Sequence, residues 1–141
     1  MAQQPSRAAR IVGYVLAIAA NLAMLWVAYR ILDWGWPPFV TDDWTLVLPA
    51  ITAAAAVAIV TNAGLIAYDG PAVKAGVEIV QSVLGIVVTA RMLQVFPFDV
   101  SDGWETLIRV VLVVGIVGSV IGILVWLTKL VRVLAAPEPA A

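Results

Sequence analysis

The sequence predicts an all-α integral membrane protein whose four transmembrane helices form two tandem, parallel-repeat helical hairpins. Of its 141 residues, 63% are hydrophobic and 12% are charged, which is far more apolar than a typical soluble domain. Four apolar runs reach the ~20 residues needed to cross the hydrocarbon core of a bilayer. A segment in the first half of the chain also recurs in the second half, which predicts the repeat.

The four apolar runs are separated by segments rich in Gly, Pro and Asp, which end helices. The runs cover 11–32, 44–68, about 72–96 and about 106–133. Because the intervening segments are short, consecutive helices are expected to run antiparallel. The first run is longer than the apolar core of a signal peptide, so we interpret it as a retained helix and not as a cleaved leader.

These boundaries divide the chain into four parts. A short basic N-terminus precedes the first hairpin, the second hairpin follows a turn at 69–71, and a Pro-containing tail ends the chain. The parts are 1–10, 11–69, 70–133 and 134–141. The tail is expected to be disordered.

The repeat consists of the segments 29–46 and 90–107. Both read Arg, then Ile or Met, Leu, a short aromatic run, Pro-Phe, Thr or Ser with Asp, Trp, Thr and Leu. The two hairpins would share one orientation, so the predicted relation is a pseudo-two-fold axis along the membrane normal. An inverted repeat would contradict this prediction.

Basic residues predict the orientation in the membrane. Most of them fall at the end that holds both termini and the central turn, whereas Arg30, Arg91 and Arg109 lie within helix ends on the other side. Basic residues concentrate in cytoplasmic segments. We therefore expect an integral protein of a bacterial inner (cytoplasmic) membrane with both termini in the cytoplasm.

Each predicted helix carries small or amide side chains on one face. Helices in a bilayer associate through close packing of small residues and a few hydrogen bonds. Glycines on these faces predict close helix contacts, and the asparagines predict hydrogen bonds between helices. The predicted packing residues are Gly13, Asn21, Asn62, Gly85, Gly115, Gly118, Ser119 and Gly122.

The third helix has a polar face that is a candidate pore or binding surface. It comprises Lys74, Glu78, Gln81, Ser82 and Thr89. An ionisable residue inside a span is a functional-site hypothesis, because a charge there must be neutralised, paired or hydrated. The alternative is an ordinary ion pair between Glu78 and Lys74 one turn earlier.

The repeated loops predict a second candidate site, the outer-loop clamp. Arg30 and Arg91 are equivalent in the repeat, and each lies about one turn below the outer loops, close enough to pair with the loop aspartates. The aspartates concerned are Asp42, Asp43, Asp99 and Asp102. An anionic head-group site built twice is the alternative, while the Thr-Asp and Ser-Asp pairs also suit helix N-caps.

Composition excludes several kinds of chemistry. The chain has neither Cys nor His, so thiolate chemistry and the usual haem, zinc and proton-shuttle side chains are missing. Because no catalytic, phosphate-binding or metal motif occurs, we expect no cofactor, no metal and no enzymatic activity. A net charge of −1 gives no case for nucleic acid.

Two functions remain. The first is a structural or accessory subunit, or a self-assembling helical bundle, whose partners are membrane lipids and either further copies or other membrane subunits. The alternative is an oligomeric ion channel, small-solute transporter or holin-like pore. That pore would use the polar face of the third helix.

Overall fold

The computed structural model describes residues 5–136, and this part of the chain is helical apart from short connections. The helices are α1 (Arg7–Trp34), α2 (Leu48–Ala67), α3 (Pro71–Val95) and α4 (Asp102–Ala135). All four are long and apolar enough to cross a membrane. The prediction of an all-α chain with four such helices is therefore confirmed.

Several helix boundaries differ from the sequence prediction, and α1 and α4 each begin about four residues before the predicted runs, at Arg7 and Asp102. The segment Asp42–Leu46 forms a short 3-10 helix, and α2 begins only at Leu48. Pro49 explains the later start, because proline lacks an N–H group and suits the first turn of a helix. At the other end of the chain, α4 continues to Ala135, so the predicted tail begins later. Residues 1–4 and 137–141 lie outside the described part.

The helices are arranged in a row in chain order. Extensive contacts join α1 to α2, α2 to α3 and α3 to α4. α2 contributes five buried residues, whereas no residue of α4 is buried. α2 is thus the central helix, and α4 lies at the edge with only one flank covered.

The connections that follow α1 and α3 lie at the same end of the helix axes. We call this end of the molecule the loop end. The backbone N–H of Thr41 donates to Pro97 at 2.9 Å, and that of Asp99 donates to Phe39 at 2.7 Å. These bonds form an antiparallel bridge between Val40 and Phe98. The two Pro-Phe loops therefore pair with each other. Phe98 lies opposite Val40, which is one residue beyond Phe39, its counterpart in the sequence alignment.

Both α1 and α3 end in a left-handed residue. Gly35 has φ of 61°, which glycine adopts without steric cost, and Phe96 has φ of 45°. The Phe96 ring packs edge-on against Phe98 at 5.5 Å, and the Arg109 guanidinium lies 4.1 Å from its centroid. These ring contacts hold Phe96 in a conformation that is uncommon for a bulky residue.

Candidate functional site

An open crevice with a largely polar lining lies between α1 and α3, with α2 as its floor. We call it the polar crevice. It has a volume of about 380 Å³ and opens at the turn end, where α1 begins, α2 connects to α3 and α4 finishes. Its polar lining is Arg10, Tyr14, Asn21, Asn62, Lys74, Glu78 and Gln81.

Asp69 lies in the turn at the mouth of this crevice and links it to α1. Its carboxylate accepts a hydrogen bond from Tyr14 Oη at 2.8 Å and forms an ion pair with the Arg10 guanidinium. Only 16% of the Asp69 side chain is exposed. These contacts fix the start of α1 against the turn between α2 and α3.

The environment of Asp69 favours its ionised form. Burial by itself raises the pKa of this carboxyl, but the hydrogen bonds from Tyr14 and Arg10 and the charges of Arg10 and Lys74 outweigh burial. The net result is a pKa lowered from the ordinary aspartate value. Asp69 thus remains a carboxylate at neutral pH.

Two asparagines extend the polar lining deeper into the crevice. Asn21 Nδ2 donates to the Ala17 carbonyl at 2.8 Å, and Asn62 Nδ2 donates to the Ala58 carbonyl at 2.7 Å. Each amide is thus bonded to its own helix. Within residues 5–136 neither asparagine hydrogen-bonds to another helix, in contrast to the interhelical role that the sequence suggested.

Glu78 and Gln81 line the crevice from α3. Gln81 Nε2 donates to Thr61 Oγ1 on α2 at 2.9 Å, which is a hydrogen bond between helices. Glu78 has no ion-pair partner in the described part of the chain. The Lys74 ammonium lies 5.9 Å from the centroid of the Tyr14 ring on α1, so the expected Lys74–Glu78 pair is not formed.

The predicted polar face of α3 is divided between two neighbours. Lys74, Glu78 and Gln81 line the crevice. Ser82 and Thr89 instead lie against glycines of α4. A Cβ added at Gly122 would lie 3.7 Å from Ser82 Oγ, and one added at Gly115 would lie 3.9 Å from Thr89 Cγ2. These five residues therefore do not line one continuous path in the single chain.

Toward the loop end the space between α1, α2 and α3 becomes apolar. A cavity of about 250 Å³ is lined there by hydrophobic side chains of the three helices, together with Trp44. Trp44 Nε1 donates to the Ala28 carbonyl at 2.8 Å. Ala28, Val47 and Ile51 are buried beside it and form the hydrophobic core. The polar crevice consequently ends partway along the helices.

Glycine and serine positions on α3 and α4 form a regular contact. Gly85 faces Ser119, as Ser82 faces Gly122 and Thr89 faces Gly115. A Cβ added at Gly13 or Gly118 would meet no atom within 4 Å. Those two glycines do not pack against a neighbouring helix in the single chain.

The loop end does not bring the outer-loop clamp together. Among residues 5–136 the ion pairs are Arg10–Asp69 and Arg109–Glu105, so neither clamp arginine pairs with a loop aspartate. Arg91 Nε donates instead to the Leu46 carbonyl at 3.2 Å. The physical reason is exposure, because all six clamp residues are solvent-exposed and have water as a competitor. The six are Arg30, Asp42, Asp43, Arg91, Asp99 and Asp102.

The expected N-caps are also different in detail. Thr41 precedes the 3-10 helix and Ser101 precedes α4, but neither side chain makes the capping hydrogen bond. Asp42, Asp43, Asp102 and Glu105 lie in the first turns of these helices. Their negative charge stabilises the positive end of each helix dipole.

The contacts of Arg10, Tyr14 and Asp69 could not be predicted from the patterns in the sequence. These patterns place Asp69 only in a turn and Tyr14 only in an apolar run. The opposite charges of Arg10 and Asp69 could have indicated their ion pair. Asp69 lies beside a Gly-Pro turn at the basic end of the predicted helices, and Arg10 lies at the start of the first helix. No signal in the sequence identified Tyr14 as its hydrogen-bond donor.

No protein-family model matches the chain, and neither the curated proteins nor the solved structures give a match. Within residues 5–136 no three His, Cys, Asp or Glu side chains cluster in a way that could hold a metal ion. The geometry of the crevice and the exposed helix surfaces are therefore the features from which function is inferred.

Proposed function

We propose that the chain is a non-catalytic integral membrane protein that functions by assembling with other membrane helices, either further copies or different subunits. The observation that carries this proposal is the polar crevice, which leaves Asn21, Asn62 and Glu78 without a partner on a neighbouring helix of the described chain. A helix docked in the crevice would supply those partners.

The depth of Asn21 in the proposed bilayer supports the docking of a helix in the crevice. Asn21 lies about 15 Å along α1 from the beginning of the apolar run at Ile11, at ~1.5 Å per residue. The hydrocarbon core is ~30 Å thick, so this amide would lie near its middle. A polar group at that depth is costly unless another helix or water satisfies it. The crevice therefore requires an occupant.

The tryptophans of α4 support insertion across a bilayer. Trp104 and Trp126 are about 33 Å apart along the helix at ~1.5 Å per residue, which is close to the hydrocarbon thickness. Tryptophan favours the two membrane interfaces. In our proposal the turn end, which carries most basic residues, faces the cytoplasm of a bacterial cell.

The two loops support the proposed parallel repeat. Their backbones pair antiparallel through the bridge between Val40 and Phe98, so each Pro-Phe loop contacts the loop that corresponds to it in the sequence. Both preceding helices end in a left-handed residue, Gly35 and Phe96. Under this proposal the two halves have diverged at the starts of α2 and α4, which differ.

Native mass spectrometry of the mildly solubilised protein tests assembly directly. We expect a discrete homo-oligomer or a stoichiometric complex with another membrane protein. A monomer without partners, in both mild detergent and lipid nanodiscs, would contradict the proposal. The same sample gives the partner identity if the chain is an accessory subunit.

The occupant of the crevice can then be identified with introduced cysteines, because the natural chain has no Cys. Asn21→Cys places a thiol in the crevice, and Val60→Cys places one on the surface of α2, where Val60 is 70% exposed. If a helix fills the crevice, position 21 should form crosslinks to that helix and react slowly with water-soluble thiol reagents. Val60 supplies the lipid-facing reference.

An oligomeric pore is the second candidate, and the presence of Lys74, Glu78 and Gln81 in an open polar crevice favours it. In that case water would satisfy the crevice, and position 21 would react rapidly. The apolar cavity beyond the crevice gives no polar continuation within one chain, so a path would have to form between copies. Flux into liposomes that is lost in Glu78→Ala would support this candidate, and unchanged flux would rule out Glu78 in the path.

A further inference from the structure

We propose that the turn end binds the phosphate group of an anionic phospholipid in a pocket formed by α1, α3 and α4. We call this the basic pocket. It has a volume of about 510 Å³. It differs from the polar crevice because residues of α4 form one of its walls. Four basic side chains line it, namely Arg10, Lys74, Lys129 and Arg132.

The charges of the pocket are not balanced by the described residues. Asp69 is its one lining carboxylate, and this group already pairs with Arg10. Lys74, Lys129 and Arg132 have no ion-pair partner among residues 5–136. Three positive charges that converge from two helices repel one another, and a bound anion would remove this repulsion.

The chemistry of the basic side chains fits phosphate. Arg132 presents a planar guanidinium that can donate two parallel hydrogen bonds to phosphate oxygens, and the lysines supply compact charges. Pro71, in the first turn of α3, also lines the pocket. The positive end of the α3 dipole therefore lies at the same place and favours an anion.

An apolar wall distinguishes a lipid from a small soluble anion. Trp126, Ala75 and Val133 line the pocket beside the basic groups. The Lys129 ammonium lies 4.2 Å from the centroid of the Trp126 ring, so the cationic and apolar parts are adjacent. A ligand with a phosphate and a hydrocarbon chain would contact both, with the chain running along α4 into the bilayer.

The position along α4 agrees with a head-group site. Trp126 would lie at the membrane interface in the orientation proposed above, and Lys129 and Arg132 follow it by one to two turns. Anionic phospholipids of the cytoplasmic leaflet attract basic side chains at this level. The inference uses the proposed membrane insertion, but it does not depend on assembly.

Lipid retention by the full chain in nanodiscs tests the proposal. The nanodiscs contain phosphatidylglycerol and phosphatidylcholine in equal amounts, and native mass spectrometry measures the ratio of the two lipids that remain bound. We expect enrichment of phosphatidylglycerol by the natural chain. Lys129→Gln/Arg132→Gln should lower the enrichment about 25-fold, because each basic residue near an anionic surface contributes about a factor of five.

Two control variants separate a specific site from general attraction. Lys129→Arg/Arg132→Lys retains both charges and should retain the enrichment. Arg7→Gln/Arg109→Gln removes the same charge at two positions that do not line the pocket, and it should leave enrichment unchanged. The proposal is overturned if the natural chain shows no preference, or if Arg7→Gln/Arg109→Gln loses as much enrichment as Lys129→Gln/Arg132→Gln.

Titration with inorganic phosphate identifies the source of the anion. Release of phosphatidylglycerol by millimolar phosphate would show that the phosphate group alone is recognised, so a soluble phosphate could also occupy the pocket. Retention of the lipid would show that the acyl chain contributes and that a phospholipid is the ligand. The same spectra report the oligomeric state, so a failure of this inference and a failure of the assembly proposal are read separately.

Discussion

The two hairpins carry similar loop sequences but pack through different kinds of side chain. In the first hairpin, Trp44 hydrogen-bonds to the Ala28 carbonyl, and Tyr29 Oη lies 2.7 Å from Thr52 Oγ1. In the second hairpin, serine and threonine side chains lie against glycines of the facing helix at intervals along α3 and α4. Large polar and aromatic groups thus join α1 to α2 and to the 3-10 helix before it, whereas small residues join α3 to α4 along their length.

This difference follows from the position of each helix in the row. α2 has neighbours on both flanks, so its residues are buried and its partners must fill the space around it. α4 has a neighbour on one flank, and close approach of the two backbones is the main way to gain contact there. The second hairpin therefore leaves more surface for lipid or for another protein.

Two tryptophans at corresponding positions of the two loop sequences give the largest expected contrast. Trp44 is half-buried and donates a hydrogen bond, whereas Trp104 is 61% exposed. We expect Trp44→Ala to lower the free energy of unfolding by about 3 kcal/mol, since it removes packing and leaves a cavity. Trp104→Ala should change it by less than about 0.5 kcal/mol.

Unfolding by sodium dodecyl sulfate in mixed micelles, followed by circular dichroism, measures both variants on one scale. Trp44→Phe retains most of the ring volume and separates packing from the hydrogen bond to Ala28. Equal effects of the two alanine substitutions would show that the hairpins are packed alike. This result would contradict the difference in packing described above.

A pair of glycines on α4 gives the next largest effect. Gly122 faces Ser82, while Gly118 has open space at its Cβ position. Gly122→Leu would force α3 and α4 apart and should cost about 1 to 3 kcal/mol through overpacking. Gly118→Leu should leave the fold of the single chain unchanged.

The Gly118 variant also sharpens the assembly proposal. If the open flank of α4 contacts another helix, Gly118→Leu should reduce the oligomer or complex seen by native mass spectrometry without loss of helix content. Loss of helix content in this variant would mean that Gly118 packs within the chain. An intact assembly would assign the contact to the crevice instead.

Much of the fold could be predicted because long apolar helices have a strong signal in composition and length. The four helices and the breaks between them follow directly from apolar runs and from Gly, Pro and Asp. The start of α2 could not be placed, since Trp44 to Leu46 is as apolar as the helix that follows. The 3-10 helix there depends on Pro49 and on contacts of Trp44 with α1.

The candidate site was harder to predict than the fold. Glu78 and Gln81 were identified as a polar face, but periodicity alone could not show that Ser82 turns to α4. The rotation between Gln81 and Ser82 is about 100°, enough to place them on different neighbours. The outer-loop clamp failed to form because proximity in sequence does not overcome hydration of exposed charges.

Asp69 lies in the turn between the two hairpins and contacts Arg10 and Tyr14 of α1. A substitution at Asp69 therefore tests whether this contact fixes the hairpins to each other. Asp69→Asn should lower the free energy of unfolding by about 1 to 2 kcal/mol, because Arg10 loses its ionic partner. Asp33→Asn, at an exposed position near the loop end, is the matched control and should have little effect.

The pH dependence of the same measurement has a definite sign. The pKa of Asp69 is lowered in the folded chain, so its contribution to stability is complete above the ordinary aspartate pKa. This contribution is lost as the pH falls through the lowered value. Between about pH 7 and about pH 3, the natural chain should therefore lose more stability than Asp69→Asn. Parallel pH curves would show that the ion pair contributes nothing to the fold.

The smallest expected effect concerns the two repeat-equivalent arginines. Arg91 Nε donates to the Leu46 carbonyl in the segment before α2, and Arg30 has no side-chain hydrogen bond within residues 5–136. Both are exposed, so each substitution to Gln should cost less than about 0.5 kcal/mol, with Arg91→Gln the larger. Because Arg91 joins the second hairpin to the first, its effect should add to that of Trp44→Phe if the two contacts act independently. A double variant that departs from additivity would show that the loop end responds as one unit, and the distinction between the hairpins would then apply only to their helices.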